Sequence, residues 1–112
     1  MDARAETARS YYRAIDDDEY DHLREILAAG FVHDRPDRTL SGPDRFVQFM
    51  REERPMTDTT HAVDSLYQEG DGTEGGIAVR GRLLQGRETL FGFVDVFGFE
   101  DAHIARLRTY TR

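Results

Sequence analysis

Residues 3–15 carry Ala8, Tyr11, Tyr12 and Ile15 at helical spacing, with arginine and glutamate on the other face, and predict a first helix. The run Asp16-Asp17-Asp18 then breaks the pattern. Asp17 or Asp18 suits an N-cap, since acidic residues complement the positive end of a helix dipole. A second helix is expected behind it, with Leu23, Ile26 and Leu27 on one face and Gly30 as the left-handed residue that closes it. Residues 31–35 read as a short extended segment ended by Pro36. Ser41-Gly42-Pro43 predicts the start of a third helix, with proline at an early position and Phe46, Val47, Phe49 and Met50 as its apolar face. Arg54-Pro55 stops it.

From there the period changes to two. Residues 57–68, 76–84, 88–99 and 102–111 predict four strands, joined by EGDGTEGG, QGR and FED turns that suit antiparallel hairpins. Helices first and strands after make an α+β domain, with the helices covering one face of a curved sheet. The chain of 112 residues is read as a single domain over 1–112.

Composition narrows the chemistry. With no cysteine, neither a disulfide framework nor a thiolate is available. No apolar run reaches membrane-spanning length and the first ten residues lack a signal-peptide core, so a cytoplasmic protein with no membrane partner is expected. The net charge of −7 argues against a nucleic-acid partner, which needs a basic stripe. All fifteen basic residues are arginine. That acidic, lysine-free balance fits a halophilic protein, and it fits equally a genome rich in arginine codons.

The densest candidate chemistry lies in TLFGFVDVFGF. Alternation puts Phe91, Phe93, Asp95, Phe97 and Phe99 on one face, so one carboxyl group stands among four rings. Desolvation there raises a carboxyl pKa above its reference of about 3.9, and a neutral acid can donate a hydrogen bond to a developing oxyanion. The alternative is an Asp95 paired with Arg106 or Arg108. In FVHDRP, alternation lets either His33 or Asp34 face the helices, and a one-residue slip swaps them. A solvated Asp34–Arg35 pair is the plain alternative. Of Tyr11 and Tyr12, one is expected in the core and the other at a rim, where its hydroxyl can polarise a carbonyl. His61 shares a strand face with Thr59, Val63 and Tyr67, and serves as a pocket base or a core histidine. No histidine spacing suggests a metal site, and no phosphate loop or nucleophile elbow occurs, so neither metal nor cofactor is expected.

Taken together, YYRAIDDDEYDHLREIL, FVHDRP with its SG-initiated helix, and FVDVFGFEDAHIARLRTYT resemble the SnoaL-like polyketide cyclase and ketosteroid isomerase branch of the nuclear transport factor 2-like superfamily, over about residues 5–112. The resemblance implies a cone-shaped α+β barrel of cystatin-like topology, a strongly curved, mainly antiparallel sheet wrapped around three N-terminal helices. It further implies a pocket at the wide end, a small-molecule ligand and a homodimer. Carried over, Asp34 takes the place of the general base, Tyr11 that of the oxyanion-hole tyrosine, and Asp95 that of the oxyanion-hole acid. Arg35 stands where the isomerase has proline after its base, which speaks against a steroid-type isomerase.

The expectation is a cofactor-independent enzyme that removes a proton next to a carbonyl, or adds water there. Asp34 would be the base with His33 or His61 assisting, and Tyr11 and Asp95 would hold the enolate oxygen. Arg35, Tyr12, Phe49, Phe91, Phe93, Phe97 and Tyr67 would line the substrate site. The competing expectations are a closed ligand-binding or dimerisation module, and a hydrolase in which His61 and an aspartate activate water.

Overall fold

The computed structural model describes residues 3–54, 56, 58–70 and 75–112. Three helices precede the long strands: α1 (Ala3–Asp16), α2 (Tyr20–Glu25) and α3 (Pro43–Gln48). The strands are β1 (Leu27–Asp34), β2 (Thr39–Ser41), β3 (Thr60–Gln68), β4 (Ile77–Gln85), β5 (Glu88–Glu100) and β6 (His103–Thr111). They form one sheet in the order β2-β1-β6-β5-β4-β3, antiparallel throughout except for the parallel β1–β6 pair. The sheet is curled but open, with β2 and β3 as its edges, so the cone of the sequence reading holds while full barrel closure does not. Register shifts interrupt four of the strand pairs, and such bulges bend a sheet. No helix among the described residues is long and apolar enough to cross a membrane.

The predicted faces become the core. Ala8, Tyr11, Tyr12 and Ile15 of α1 are buried, as are Phe46, Val47, Phe49 and Met50 of the third helical segment. Phe93, Asp95 and Phe97 point inward from β5, while Val94 and Val96 are exposed on the other face. Gly42 at φ 90 and Pro43 at the first helical turn start α3 as expected. Beyond Gln48 the chain widens into a π-helical turn, Phe49–Glu53, in which the Arg54 amide donates to the Phe49 carbonyl at 3.0 Å. The chain is extended at Arg54; Pro55, residue 57 and residues 71–74, the middle of the EGDGTEGG turn, lie outside the described residues.

Three local expectations are corrected. Neither Asp17 nor Asp18 caps α2; Glu19 is its N-cap, without a side-chain bond. Asp18 instead turns left-handed at φ 57 and accepts bonds from the Tyr20 hydroxyl and Arg54. Gly30 does not close α2, which ends at Glu25; the strand begins at Leu27 because the Ile104 amide donates to the Ile26 carbonyl and Leu27 pairs with Ile104. Tyr67 is exposed, because the bulge between Val63 and Ser65 turns Leu66 toward the core in its place.

Gly81 of β4 lies opposite Phe93 of β5. A Cβ there would meet the Ala62 carbonyl oxygen and come within 2.7 Å of Cζ of Phe93. The missing side chain thus lets the Phe93 ring lie flat across the sheet. Gly81→Val should destabilise the protein by about 1–3 kcal/mol through overpacking. An unchanged denaturant midpoint would show that the strand pair absorbs the added bulk.

Candidate functional site

Between α1, the π-helical turn and the inner face of the sheet lies a cavity of about 240 Å³. Ile15, Met50, Met56, Leu83, Phe91 and Phe93 give it apolar walls. Tyr11, His33, Arg35, Arg54, His61, Asp95 and Thr109 supply its polar groups. The volume equals that of about eight liquid waters, which suits a ligand on the order of ten heavy atoms.

Asp95 sits at the centre of a hydrogen-bond chain. Its Oδ2 accepts from the Tyr12 hydroxyl at 2.6 Å and its Oδ1 from the Thr109 hydroxyl at 2.5 Å. Thr109 Oγ1 also lies 2.8 Å from Nε2 of His33. A hydroxyl has one proton to give, so with Thr109 donating to Asp95, His33 must be the Nε2–H tautomer. Its Nδ1 is then a buried acceptor with no partner among the described residues. The expected alternative pairing of Asp95 with Arg106 or Arg108 is not made.

Burial sets the protonation of this chain. It pushes the Asp95 carboxyl above the ordinary carboxylate value, against the lowering effect of the bonds from Thr109 and Tyr12. Burial, helped by the nearby Arg35 guanidinium, holds His33 down to about 3, so its imidazole is neutral. Both tyrosine hydroxyls are pushed well above their ordinary value by burial and by the Asp95 charge, and keep their protons.

Across the cavity, His61 Nδ1 lies 2.6 Å from Oδ1 of Asp16, and its backbone amide donates to Oδ2 at 2.9 Å. With the Asp16 carboxylate accepting, His61 donates from Nδ1, and in the neutral imidazole Nε2 is then the acceptor. Nε2 has no hydrogen-bond partner among the described residues and is not sealed from solvent. The Tyr11 hydroxyl is likewise without a hydrogen-bond partner among the described residues and borders the same cavity.

The structure therefore brings Tyr11, His33, Arg35, His61, Phe91, Phe93 and Asp95 to one cavity and leaves other expected residues outside it. Asp34 faces away, bonded to the Thr39 hydroxyl at 3.0 Å and 3.5 Å from Arg108. The reason is register: Phe31 and His33 pack inward from β1, so Asp34 must take the other face. Tyr12 is buried behind Asp95, so both tyrosines reach the core and neither stays at an exposed rim. Phe97 lies beneath Tyr11, their centroids 5.4 Å apart, and does not line the cavity. Phe49 is covered by the guanidinium groups of Arg35 and Arg38, and Tyr67 is on the surface.

Asp16, Thr109 and Arg54 were missed as site residues. Asp16 stands one helical turn beyond the buried Tyr12, a spacing that already puts it on the core face. Thr109 continues the inward alternation of Leu107, and Arg54 follows Met50 by four residues.

The family described as SnoaL-like domain matches residues 8–107. No curated protein matches in sequence. Among solved structures, an NTF2-like protein of unknown function from Cytophaga hutchinsonii is similar at TM-score 0.82 and 14% identity, over 100% of this chain and 92% of its own. A Kribbella flavida protein described as "putative ketosteroid isomerase" is similar at 0.81 and 20%, over 98% and 77%. A Sinorhizobium meliloti protein described as "putative polyketide cyclase" is similar at 0.79 and 17%, over 94% of each. At these identities the likeness establishes the fold.

The low proton affinity of His33 makes a signed prediction. The unfolded chain takes up a proton near pH 6.5 that the folded chain refuses until about 3. The stability of the native protein relative to His33→Gln should be complete above about 6.5 and fall by about 1.4 kcal/mol per pH unit below it. Asp95→Asn should give a difference of opposite sign, since a raised carboxyl loses its contribution as pH rises through its folded pKa. Flat difference curves from urea titrations would mean that neither group is buried in the form described.

Proposed function

The chain belongs to the SnoaL-like domain family, and on that premise we propose that its cavity moves a proton at a carbon next to a carbonyl, as an isomerase, cyclase or dehydratase without cofactor. The observation that carries this reading is the pairing of an oriented imidazole with an unbonded phenol across one largely apolar cavity. His61 takes the proton at Nε2, with Asp16 fixing its tautomer and stabilising the imidazolium that forms. Tyr11 donates its free hydroxyl to the developing enolate oxygen, and Asp95 in its acid form supports it. The base in this reading is His61 and not Asp34, since a base must lie within one hydrogen bond or one water of its proton.

The same His61–Asp16 pair would activate water against an ester, which makes a hydrolase the second reading. A homodimer is part of the proposal too. Val94, Val96, Tyr110 and Tyr67, exposed on the outer face of the sheet, offer the apolar surface it would bury. Sedimentation should then give a dimer that Val96→Glu dissociates; a native monomer at high micromolar concentration removes that part.

Deuterium exchange at the carbon next to the carbonyl, followed by NMR over a panel of small aryl and cyclic ketones, tests the chemistry. His61→Gln should slow exchange about a hundredfold or more, and Tyr11→Phe comparably. Asp16→Asn should slow it less, and Asp34→Asn should leave it unchanged. Ester hydrolysis without ketone exchange would replace this reading by the hydrolase.

A further inference from the structure

An acidic chain has concentrated positive charge at this cavity. The net charge is −7, yet the lining contributes two guanidinium groups, Arg35 and Arg54, against one carboxyl group, Asp95. Asp95 pairs with neither arginine. Both of its oxygens are taken by hydroxyls, and burial disfavours its charge.

Both arginines are poorly used by the protein itself. Arg35 makes no side-chain hydrogen bond among the described residues; its nearest carboxylate is Asp37, 3.8 Å away and largely exposed. Its guanidinium rests on the Phe49 ring at 4.9 Å, a face contact that leaves the in-plane N–H groups free. Arg54 is only 8% exposed and reaches Asp18 and the Tyr20 hydroxyl through one terminal nitrogen, at 3.3 Å each. The Nε of each arginine is buried without a partner. A buried donor with no acceptor is unfavourable, and two such Nε groups on guanidiniums that border one cavity offer unused donors to an anion placed between them.

We propose that the ligand of this cavity is a small carboxylate with an apolar body, whose anionic group is held by Arg35 and Arg54. This rests on the reading of the cavity as a ligand site and names the substrate class for it: an aryl or alkyl keto acid on the order of ten heavy atoms. The planar fork of a guanidinium matches a carboxylate in geometry and charge. The apolar walls of Met50, Met56, Leu83 and Phe91 suit the rest of such a ligand. The charged donors here are two guanidinium side chains, whose planar forks suit a planar carboxylate. With the carboxylate fixed at the arginines, the carbonyl falls to Tyr11 and the acidic carbon to His61.

The probes are benzoate and its neutral counterpart benzamide, titrated into the full chain by calorimetry and NMR. Benzoate should bind about tenfold or more tightly than benzamide. Arg35→Gln and Arg54→Gln should each remove about that factor, while Arg87→Gln, in the exposed β4–β5 turn, should change nothing. Equal affinity for the two probes, no benzoate binding, or benzoate binding that survives both cavity substitutions overturns the proposal. The benzoate–benzamide comparison needs no variant, so it decides the matter even if Arg54→Gln fails to fold. Ketone exchange measured on the same samples separates the two claims. Exchange that depends on His61 without benzoate preference leaves the proton-transfer reading standing and this inference fallen, and benzoate preference without exchange does the reverse.

Discussion

The structure is organised around a buried carboxyl group that makes no ion pair among the described residues. Asp95 is buried on the inner face of β5 and bonded by Tyr12 from α1 and by Thr109 from β6. Through Thr109 it reaches His33 of β1. One acid thus ties the first helix to three strands, including the parallel β1–β6 pair that has no tight turn to hold it. Withdrawing any partner would leave a buried polar group unsatisfied, at a cost of about 1–3 kcal/mol. An arginine in place of those hydroxyls would have fixed Asp95 as a carboxylate. Hydroxyl donors lower its proton affinity only in part, and burial outweighs them.

That chain also has a direction. While Thr109 donates to Asp95, His33 must donate from Nε2 and leave Nδ1 unpaired. When Asp95 holds a proton, it can donate to Thr109, whose hydroxyl then turns toward His33 and requires the other tautomer. His33 stays neutral in both arrangements, because burial holds its proton affinity low. A proton on Asp95 is therefore accommodated by rotating one hydroxyl and exchanging one tautomer, with no new charge in the core.

Strand alternation was enough to find Phe93, Asp95 and Phe97 together, because β5 keeps its register through that stretch. The helical faces of residues 8–15 and 46–50 were legible for the same reason, an unbroken period. What the pattern could not carry was any parity set by a bulge or by a partner strand. Asp34 against His33 turned on how β1 docks beside β6, where the pairing slips between Leu27 and Val32. Tyr67 lost its inward place to a bulge two residues earlier. Asp16 belongs to the aspartate run that reads as a break between helices, although its helical offset from Tyr12 points inward. Its partner His61 lies 45 residues away, and no local pattern predicts that contact.

Several departures from regular geometry border the cavity. The π-helical turn sends the Arg54 amide to Phe49, which releases the Met50 carbonyl to the Tyr20 hydroxyl and puts Met50 and Arg54 on the cavity together. Asp18 takes a left-handed conformation to hold Arg54 and Tyr20 from below. Two buried Nε atoms and one buried imidazole nitrogen go without partners, and all three belong to residues that line the cavity. Behind them the aromatic core is regular: Tyr11, Phe46 and Phe31 pack ring on ring, and Phe97 closes on Tyr11 from β5. Backbone irregularity and unmade bonds thus meet on one side of the cavity, with well-packed rings on the other. Apolar side chains of the same size would fill that space without leaving buried donors unpaired.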